Sequence, residues 1–437
     1  MSILSDFIAR KYRKFKRKSV ARLTRNIDSL RDVSSLSGVI SARDLSLSKR
    51  LMFRWLRGSW LGYQLLPTVG HRAASAPIST LTQTEPFFVE APRVCGAPSI
   101  LTQGMFPAIE ARCFNRAEAS GLSSTFLLSG RASIPDYYTT HDRAVITDGS
   151  KLIWQSNDGW SIASRPKPIP RAKGIMLFAS GANNWYHWLI EVLPVAFLAG
   201  RLPEQYADFP FVIPSRIANL PTFRDSLDVF RQGREVIEIG DENYLIDQLI
   251  VIDPLVREPM NMRQGHWPSV ADYAFNPALL REYRSAILTR LGVKTVDPRD
   301  RIFLARAHGR RSYNQDELLA IAERHGFRAV HIEQLSFREQ VELLSGAKFV
   351  VGPSGAAFAN TLFCCQGTRL LTWLIPQYKG FCSYMNLART VGSELRYIFA
   401  TPNQEVRNTF EAYSAEYVVD PVEFEQALVK ALTSDDY

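Results

Sequence analysis

The sequence lacks several features that would place it in a class of proteins at once. It has no uninterrupted apolar run of about 18 residues, so we expect no transmembrane helix. Its basic start is not followed by a compact apolar core and a small-residue cleavage site, so we expect no secretory signal. It also contains no Walker A loop, no Gly-x-Gly-x-x-Gly fingerprint and no Asp-x-Asp motif. The commonest signatures of nucleotide binding, and of a carboxylate-held Mg²⁺ or Mn²⁺, are therefore missing.

Cysteine is scarce, and its pattern excludes a disulfide framework or a cysteine metal site. The five cysteines are odd in number and have no metal-ligand spacing. Cys364 and Cys365 are adjacent in an apolar stretch, so we expect buried free thiols, which suit a reducing compartment. The apolar share of 46% and the charged share of 22% are ordinary for a soluble globular protein, and 437 residues suffice for two domains.

Positive charge is in excess, but mainly at one end of the chain. The formal net charge is +9, and the first 25 residues contain nine Lys or Arg and a single Asp. Residues 1–31 carry an apolar stripe at helical spacing, which predicts a basic amphipathic helix. Such a helix suits an anionic membrane surface, where each basic residue contributes about 1 kcal/mol. A solvated or protein-binding arm is the alternative; we expect no nucleic-acid partner, because nothing downstream resembles a base-reading module.

The order of apolar segments predicts an α/β protein with five regions. Apolar strands alternate strictly with helices from residue 301 to 375, which indicates a parallel sheet covered on both faces. Further strands are predicted at 174–180, 211–215, 235–240 and 245–253, and a hairpin at 144–155 around Asp148-Gly149. The predicted regions are a basic amphipathic extension (1–66), a linker (67–84), an N-terminal α/β domain with a β-rich start (85–294), a C-terminal Rossmann-like domain (295–400) and a helical tail (401–437).

The segment GANNWYHWLIEVLP, residues 181–194, predicts a helix with an unusual polar face. Asn184, His187 and Glu191 are spaced three and four apart, which places them on one side of an apolar helix. Pro194 should kink or end this helix. The polar face is either a set of satisfied core residues or a source of a general base, which His187 or Glu191 would supply.

The segment KFVVGPSGAAFANTLF, residues 348–363, predicts an anion site. An apolar strand ends in a turn that contains Gly352, Ser354 and Gly355, and a helix is predicted from Ala356 to Cys365. Free N–H groups and a partial positive charge at a helix start suit a phosphate, and open α/β sheets bind ligands at this edge. The alternative is an ordinary strand–Gly–helix turn.

Arginines are predicted at the same edge of the sheet. In RIFLARAHGRRSYNQDE, residues 301–317, Arg306 ends a strand, and Arg310 and Arg311 lie in the turn before the next helix. Arginine pairs bidentately with phosphate oxygens and is always charged. The alternative is a set of solvated loop arginines. Together with the Gly-rich turn they indicate a diphosphate site, such as a nucleotide-sugar would occupy.

Three ordered elements resemble those of glycosyltransferase family 61, over about residues 170–400. NNWYHWLIEVLP is similar to the family's Asn–His–acidic–Leu-Pro element. The 301–317 segment is similar to its Arg–Arg–Asn–Glu element, on Arg306, Arg311, Asn314 and Glu317. The third element pairs Gln340 with the Gly-rich turn and Asn360.

The resemblance implies a GT-B architecture, that is, two Rossmann-like domains facing a cleft. It also implies inversion at the anomeric carbon and a nucleotide-sugar donor bound mainly by the C-terminal domain. By resemblance, the donor diphosphate would be bound by Arg306, Arg311, Asn314, Glu317, Gly352, Ser354, Gly355, Ala356 and Asn360. Asn184 and Trp185 would lie on the acceptor side. Ser354 stands where a histidine is common in the family, and Thr372 where many relatives carry an acidic residue.

We therefore predict an inverting hexosyl or pentosyl transferase that makes a cell-surface glycan such as capsule or lipopolysaccharide. Glu191 would be the general base, with His187 orienting the acceptor or sharing that role. The acceptor would be a glycan or a lipid-linked sugar, no metal or other cofactor would take part, and the protein would lie in the cytoplasm at the inner face of the membrane. The alternatives are a nucleotide-sugar epimerase or hydrolase, and a non-catalytic scaffold of a polysaccharide-assembly complex.

Overall fold

The computed structural model describes ten stretches of the chain. These are residues 64–94, 100–140, 143–147, 150–157, 159–259, 261–262, 265–294, 297–307, 312–412 and 415–433. The predicted basic helix, the turn Asp148-Gly149, and Arg310 and Arg311 lie outside the described residues. Contacts divide the chain into residues 66–161 with 166–437, and a second unit of residues 1–65 with 162–165. The description below concerns the first unit.

The first part of this unit consists mainly of short strands. They are β1 (Gln64–Gly70), β2 (Pro77–Thr80), β3 (Glu85–Glu90), β4 (Leu101–Phe106), β5 (Glu110–Ala119), β6 (Phe126–Leu128), β7 (Arg131–Ile134), β8 (Ala144–Thr147), β9 (Ile153–Asn157) and β10 (Trp160–Ala163), with helix α1 (His71–Ala74) after β1. Strands β8 and β9 pair antiparallel, which confirms the predicted hairpin. Residues 67–84, predicted to be a linker, are instead folded: β1 runs parallel to β7, and β2 pairs with β5.

Four parallel strands then form the sheet that carries the first predicted site element. They are β11 (Ile169–Met176), β12 (Phe211–Pro214), β13 (Val236–Ile239) and β14 (Tyr244–Ile252). The last three agree with the predicted strands, whereas β11 begins five residues earlier and ends four residues earlier than the strand predicted at 174–180. Their spatial order is β13-β12-β11-β14, and β5 adds to β14 antiparallel. Along the chain, β12 and then β13 add on one side of β11, and β14 then pairs with the other side of β11. The gap between the ends of β11 and β14 is thus a topological switch point.

The helical segment after β11 is continuous but not uniform. It comprises α2 (Trp185–His187), a π-helical turn (Trp188–Val192) and α3 (Leu193–Ala199). The N–H of Leu193 donates to the carbonyl of Trp188, five residues back. Pro194 lacks an N–H, and its ring conflicts with the carbonyl four residues back in an α-helix. The predicted kink or end at Pro194 is therefore replaced by a widened turn immediately before it, and the helix continues.

Short elements connect this sheet to the second one. The helices are α4 (Ser215–Ala218), α5 (Pro221–Asp228) and α6 (Pro277–Leu291), and the strands are β15 (Val256–Arg257), β16 (Asn261–Met262) and β17 (Ala274–Phe275). Helix α6 begins where the Asn276 side chain accepts from the N–H of Leu279, and it ends at Gly292 in the left-handed conformation.

The second sheet confirms the predicted alternation in the last third of the chain. Its elements are β18 (Asp300–Leu304), α7 (Gln315–Arg324), β19 (Arg328–Val330), α8 (Phe337–Ser345), β20 (Ala347–Val351), β21 (Arg369–Leu374), α9 (Ser383–Val391), β22 (Glu394–Pro402), α10 (Thr409–Ala412), β23 (Tyr417–Val419) and α11 (Pro421–Thr433). The order is β19-β18-β20-β21-β22-β23, parallel except for β23. The switch point of this sheet lies between β18 and β20.

One predicted helix has a different type. The segment after the Gly-rich turn is a 3-10 helix, Ala356–Phe363, rather than an α-helix through Cys365. Cys364 and Cys365 follow it as buried free thiols, as predicted. A search of the described residues finds no helix long and apolar enough to cross a membrane.

Residues of both sheets and of the helical segment share one buried cluster. It contains Ile175 of β11, Val350 of β20, Trp188 and Leu189 of the π-helical turn, and Phe358 of the 3-10 helix. The apolar face of the helical segment is thus core, and its polar face points elsewhere.

Candidate functional site

A cavity of about 510 Å³ lies where the strand ends of the two sheets face each other. Asn184 and His187, which follow β11, line it together with Glu258, which follows β14. Arg306, which follows β18, and Ser354, Gly355 and Ala356, which follow β20, line it from the second sheet. Each group lies at the carboxyl ends of the strands at its sheet's switch point, where open α/β sheets bind ligands. The cavity thus brings together six of the thirteen predicted site residues: Asn184, His187, Arg306, Ser354, Gly355 and Ala356.

His187 and Glu191 form a hydrogen-bonded pair, as their spacing predicted. The Nδ1 atom of His187 lies 2.9 Å from Oε1 of Glu191, and each side chain is about one-fifth exposed, at 18% and 20%. Burial lowers the pKa of His187, but the carboxylates of Glu191 and Glu258 outweigh it, so the pKa lies above its ordinary value. His187 lines the large cavity, whereas Glu191 lines a smaller one behind it.

Glu258 completes this cluster and was missed by sequence reasoning. Its Oε2 accepts from the hydroxyl of Tyr186 at 3.0 Å and from the hydroxyl of Ser383 at 2.6 Å. Burial and repulsion by Glu191 raise the pKa of Glu258 to about 8, although His187 acts in the opposite direction. Glu258 lies in an irregular segment between β15 and β16, so neither helical spacing nor a motif identifies it. Its position after a predicted strand is the only signal that the sequence offers.

The three groups are close enough to act together. One ligand atom each of His187, Glu191 and Glu258 lies within 4.8 Å of the others. One nitrogen and two carboxylate oxygens form a donor set that divalent transition metals accept. The same groups, without a metal, would share protons. That no metal takes part stays a prediction.

Arg306 is held against the Gly-rich turn. Its Nη2 donates to the carbonyl of Ser354 at 2.8 Å, and its Nη1 approaches the hydroxyl of Tyr417 at 3.4 Å. A Cβ atom at Gly355 would lie 2.7 Å from Nη2 of Arg306, so the guanidinium occupies space that only glycine leaves open. A fixed cation therefore lies beside the first N–H groups of the 3-10 helix, and both features favour an anion.

Two predicted positions around the turn are used for packing instead. Gly352 is buried and does not line the cavity; a Cβ there would lie 2.8 Å from Cβ of Leu304. Its role is the close approach of β20 and β18. The hydroxyl of Thr372 is buried and donates to the carbonyl of Gly352 at 2.8 Å, so this side chain also serves the sheet.

Trp185 and Asn360 bind each other rather than lining the cavity. The indole Nε1 of Trp185 donates to Oδ1 of Asn360 at 3.1 Å, and Nδ2 of Asn360 donates to the carbonyl of Ala357. Asn360 has no exposed surface. The prediction of an acceptor contact for Trp185 and a donor contact for Asn360 is thus not supported by their placement; they join helix α2 to the 3-10 helix.

Asn314 and Glu317 also have structural partners outside the cavity. The amide of Asn314 donates to Oε2 of Glu317 at 2.8 Å and to the carbonyl of Val419 at 2.9 Å, and its Oδ1 accepts the N–H of Val419. These bonds attach the start of α7 to the edge strand β23. Neither residue lines the cavity, so the predicted donor contact lacks support.

Aromatic side chains cover the part of the cavity next to Arg306. The lining includes Trp373, Tyr378, Phe381, Tyr384 and Tyr417. The indole of Trp373 donates to the hydroxyl of Tyr417 at 3.2 Å, and the ring of Tyr417 stacks on Tyr313 with centroids 5.6 Å apart. The wall is therefore rigid and suits a planar group such as a nucleobase.

Comparison with known protein families finds a match for this part of the chain. A family model described as Glycosyltransferase 61 matches residues 185–371, from the start of helix α2 into strand β21. This match supports the assignment of residues 185–371 to glycosyltransferase family 61. The resemblance seen in the sequence is thereby confirmed, and the family match supports glycosyltransferase activity in general, with a donor and an acceptor as substrates. A comparison with curated proteins finds no match. The matched residues include His187, Glu191, Glu258, Arg306 and the Gly-rich turn.

Proposed function

We propose that this chain is an inverting glycosyltransferase that moves a sugar from a nucleotide-sugar to a glycan or lipid-linked acceptor in cell-surface polysaccharide biosynthesis. The observation that carries the proposal is that one cavity is lined by a histidine–carboxylate cluster and by an arginine at a Gly-rich turn. Sugar transfer needs a base for the acceptor and a positive site for the leaving diphosphate. This cavity offers both.

The donor diphosphate would bind between Arg306 and the start of the 3-10 helix at Ala356. Fixed charges and N–H groups stabilise the negative charge that grows on the leaving group, without reorganisation during the reaction. The aromatic wall near Tyr417 would hold the nucleobase. The sugar would then extend toward His187 and Glu258.

His187 is the better candidate for the general base, and Glu191 for the residue that positions it. Sequence reasoning gave the base role to Glu191, but His187 lines the donor cavity and Glu191 lies behind it. The acceptor hydroxyl would lose its proton to Nε2 of His187 while its oxygen attacks the anomeric carbon. The bond from that carbon to the diphosphate oxygen breaks on the opposite face, which inverts the configuration.

The remaining features of the proposal concern architecture and place. The two parallel sheets with facing switch points suit a GT-B arrangement. A basic amphipathic segment at residues 1–31 would bind anionic lipid at the inner face of the membrane, close to a lipid-linked acceptor.

The first test is thermal stabilisation of the full-length protein by UDP, GDP, CMP and dTDP, with and without Mn²⁺. A nucleotide at 100 times its dissociation constant raises the free energy of unfolding by about 2.7 kcal/mol. We expect one nucleotide to raise the melting temperature without metal, and Arg306→Ala to abolish that shift. Arg281→Ala, at an exposed arginine of α6, should leave it unchanged.

Three other outcomes would contradict the proposal in different ways. No shift with any nucleotide would favour a non-catalytic scaffold. A shift that requires Mn²⁺ would overturn the metal-free site and implicate His187, Glu191 and Glu258 as ligands. Turnover of the matching nucleotide-sugar without an acceptor would favour a hydrolase or an epimerase.

A further inference from the structure

A second, smaller cavity of about 130 Å³ lies at the switch point of the first sheet. Its walls come from the residues after β11, namely Phe178, Ala179 and Ser180, and from those at the end of β14 and beyond it, Val251 to Glu258. Glu191 lines it, and Glu258 lines both this cavity and the large one. The cluster of His187, Glu191 and Glu258 therefore forms the boundary between the two cavities.

Arg257 supplies a guanidinium to this cavity that has no hydrogen-bonded partner within the described part of the chain. Its guanidinium lies over the ring of Phe106, 5.3 Å from the centroid. Across the described part of the chain, no carboxylate, hydroxyl or carbonyl oxygen lies within hydrogen-bonding distance of it. Burial lowers its pKa, yet an arginine remains charged in proteins. A half-buried guanidinium without acceptors is costly unless a ligand or water supplies them.

The neighbouring charged groups, in contrast, have partners. Asp253 accepts from Nη2 of Arg72 at 2.7 Å and from Nη1 of Arg112 at 3.3 Å. Within the described part of the chain, the carboxyl group of Asp136 accepts only the backbone N–H of Arg72, at 3.1 and 3.2 Å, so its oxygens can accept further bonds. Burial raises the pKa of this carboxyl group. Arg257 and Asp136 thus present a planar donor group and an acceptor to the cavity.

The remaining wall is aromatic. Tyr137 and Tyr138 line the cavity with little exposed surface, and their ring centroids are 5.4 Å apart in an edge-to-face pair. Aromatic faces pack well against apolar surface, including the C–H face of a sugar ring. The cavity is smaller than the roughly 300–1,000 Å³ of sites for drug-sized ligands, so it suits one ring rather than an oligosaccharide.

We propose that this cavity is the acceptor subsite and that it receives one neutral, hydroxyl-bearing sugar ring, with Arg257 as the residue that determines its binding. Arg257 donates to ring oxygens, and Asp136 accepts from hydroxyls. The reacting hydroxyl then lies beside Glu258, which lines both cavities, and from there reaches Nε2 of His187 and the donor sugar in the large cavity. This inference rests on the proposed function and assigns the acceptor's end of the same reaction.

The test is saturation-transfer NMR on the full-length protein with separate samples of methyl glycosides. The probes are the α and β methyl glycosides of glucose, galactose and mannose, and methyl β-glucuronide. We expect at least one neutral glycoside to bind the wild type and to bind Arg257→Ala at least about tenfold more weakly, as expected for loss of hydrogen bonds from a charged donor. Met176→Trp, which fills the cavity without changing charge, should also remove binding.

A crossed design separates this inference from the proposed donor site. Arg257→Ala and Met176→Trp should retain the melting shift given by the nucleotide, and Arg306→Ala should retain glycoside binding. Three results would overturn the subsite: no glycoside binds the wild type, binding survives both cavity variants, or only the glucuronide binds. In each case a preserved nucleotide shift would leave the donor site standing.

Discussion

At the scale of single residues, the histidine–glutamate pair sets the chemistry of the large cavity. Glu191 engages Nδ1 of His187, which leaves Nε2 as the nitrogen available to a substrate. A neutral imidazole is required to accept a proton, and the neighbouring carboxylates raise its pKa. The raised pKa makes His187 a stronger base, but its imidazole is neutral and able to accept a proton only at a higher pH.

The pKa of His187 should respond to Glu191. We expect the histidine to titrate above its ordinary value of 6.5 in the wild type. Glu191→Gln removes a carboxylate that favours the imidazolium, so the pKa should fall, and the acid limb of the transfer rate should move to lower pH with it. NMR titration of the imidazole resonances measures this directly, with His187→Gln identifying the signal among the seven histidines. An unchanged titration in Glu191→Gln would show that the pair is not formed in solution.

The residue scale also shows where sequence reasoning was limited. The pair His187 and Glu191 was predictable because its members lie one helical turn apart. Glu258 was not, because its relation to them depends on β14 returning beside β11. Thr372 stands where many relatives carry an acidic residue, and its hydroxyl donates to the carbonyl of Gly352.

At the scale of elements, the two glycines of the turn after β20 have different duties. Gly352 permits close packing of β20 on β18, whereas Gly355 leaves room for the guanidinium of Arg306. The φ angle of Gly355 is 170°, which is extended backbone open to any residue. Substitution of alanine for Gly352 and for Gly355 therefore tests the two functions separately.

We expect Gly352→Ala to lower the free energy of unfolding by about 1–3 kcal/mol, as overpacking does. Gly355→Ala should unfold nearly as the wild type does but lose most of the melting shift given by the nucleotide, because Arg306 is displaced. Chemical denaturation and the nucleotide screen on both variants make the comparison. Equal losses of stability, with nucleotide binding retained in Gly355→Ala, would contradict the assignment.

Element boundaries were predictable where the sequence carries local signals. The start of helix α8 carries such a signal, because Ser336 and Glu339 form a capping box there. The structural role of Asn314 at the start of α7 has no such signal. Its amide bonds to Val419, more than a hundred residues later, and no local pattern contains that partner.

At the scale of the whole molecule, one partly buried hydrogen bond joins the two halves of the site. Trp185 follows the first sheet's β11, and Asn360 follows the second sheet's β20. Their bond holds the base-carrying helix near the anion-binding turn. The sequence predicted the parallel sheet in the last third of the chain and the edge at which it binds ligands, because apolar periodicity and turn residues encode both. It did not predict that the presumed linker is folded, since small polar residues there suit strands as well as loops.

Asn360→Ala should lower the free energy of unfolding by about 1–3 kcal/mol, because the indole N–H of Trp185 is left without its acceptor. Adding Trp185→Phe to that variant should cost less than Trp185→Phe does in the wild type. A double-mutant cycle by chemical denaturation measures the coupling. Strictly additive losses would show that the bond does not link the two elements.

The π-helical turn before Pro194 has a consequence for how this protein tolerates change. Such a turn holds one residue more than a regular helix would use over the same length. Loss of a single residue between Trp188 and Val192 would let the segment become an ordinary α-helix, with its hydrogen bonds improved. The residues on either side would keep nearly the same facing, because the extra residue is absorbed within the turn, but the four-residue spacing that pairs His187 with Glu191 would be lost. A continuous α-helix in this segment would thus be inactive. Selection for activity would therefore preserve the π-helical turn.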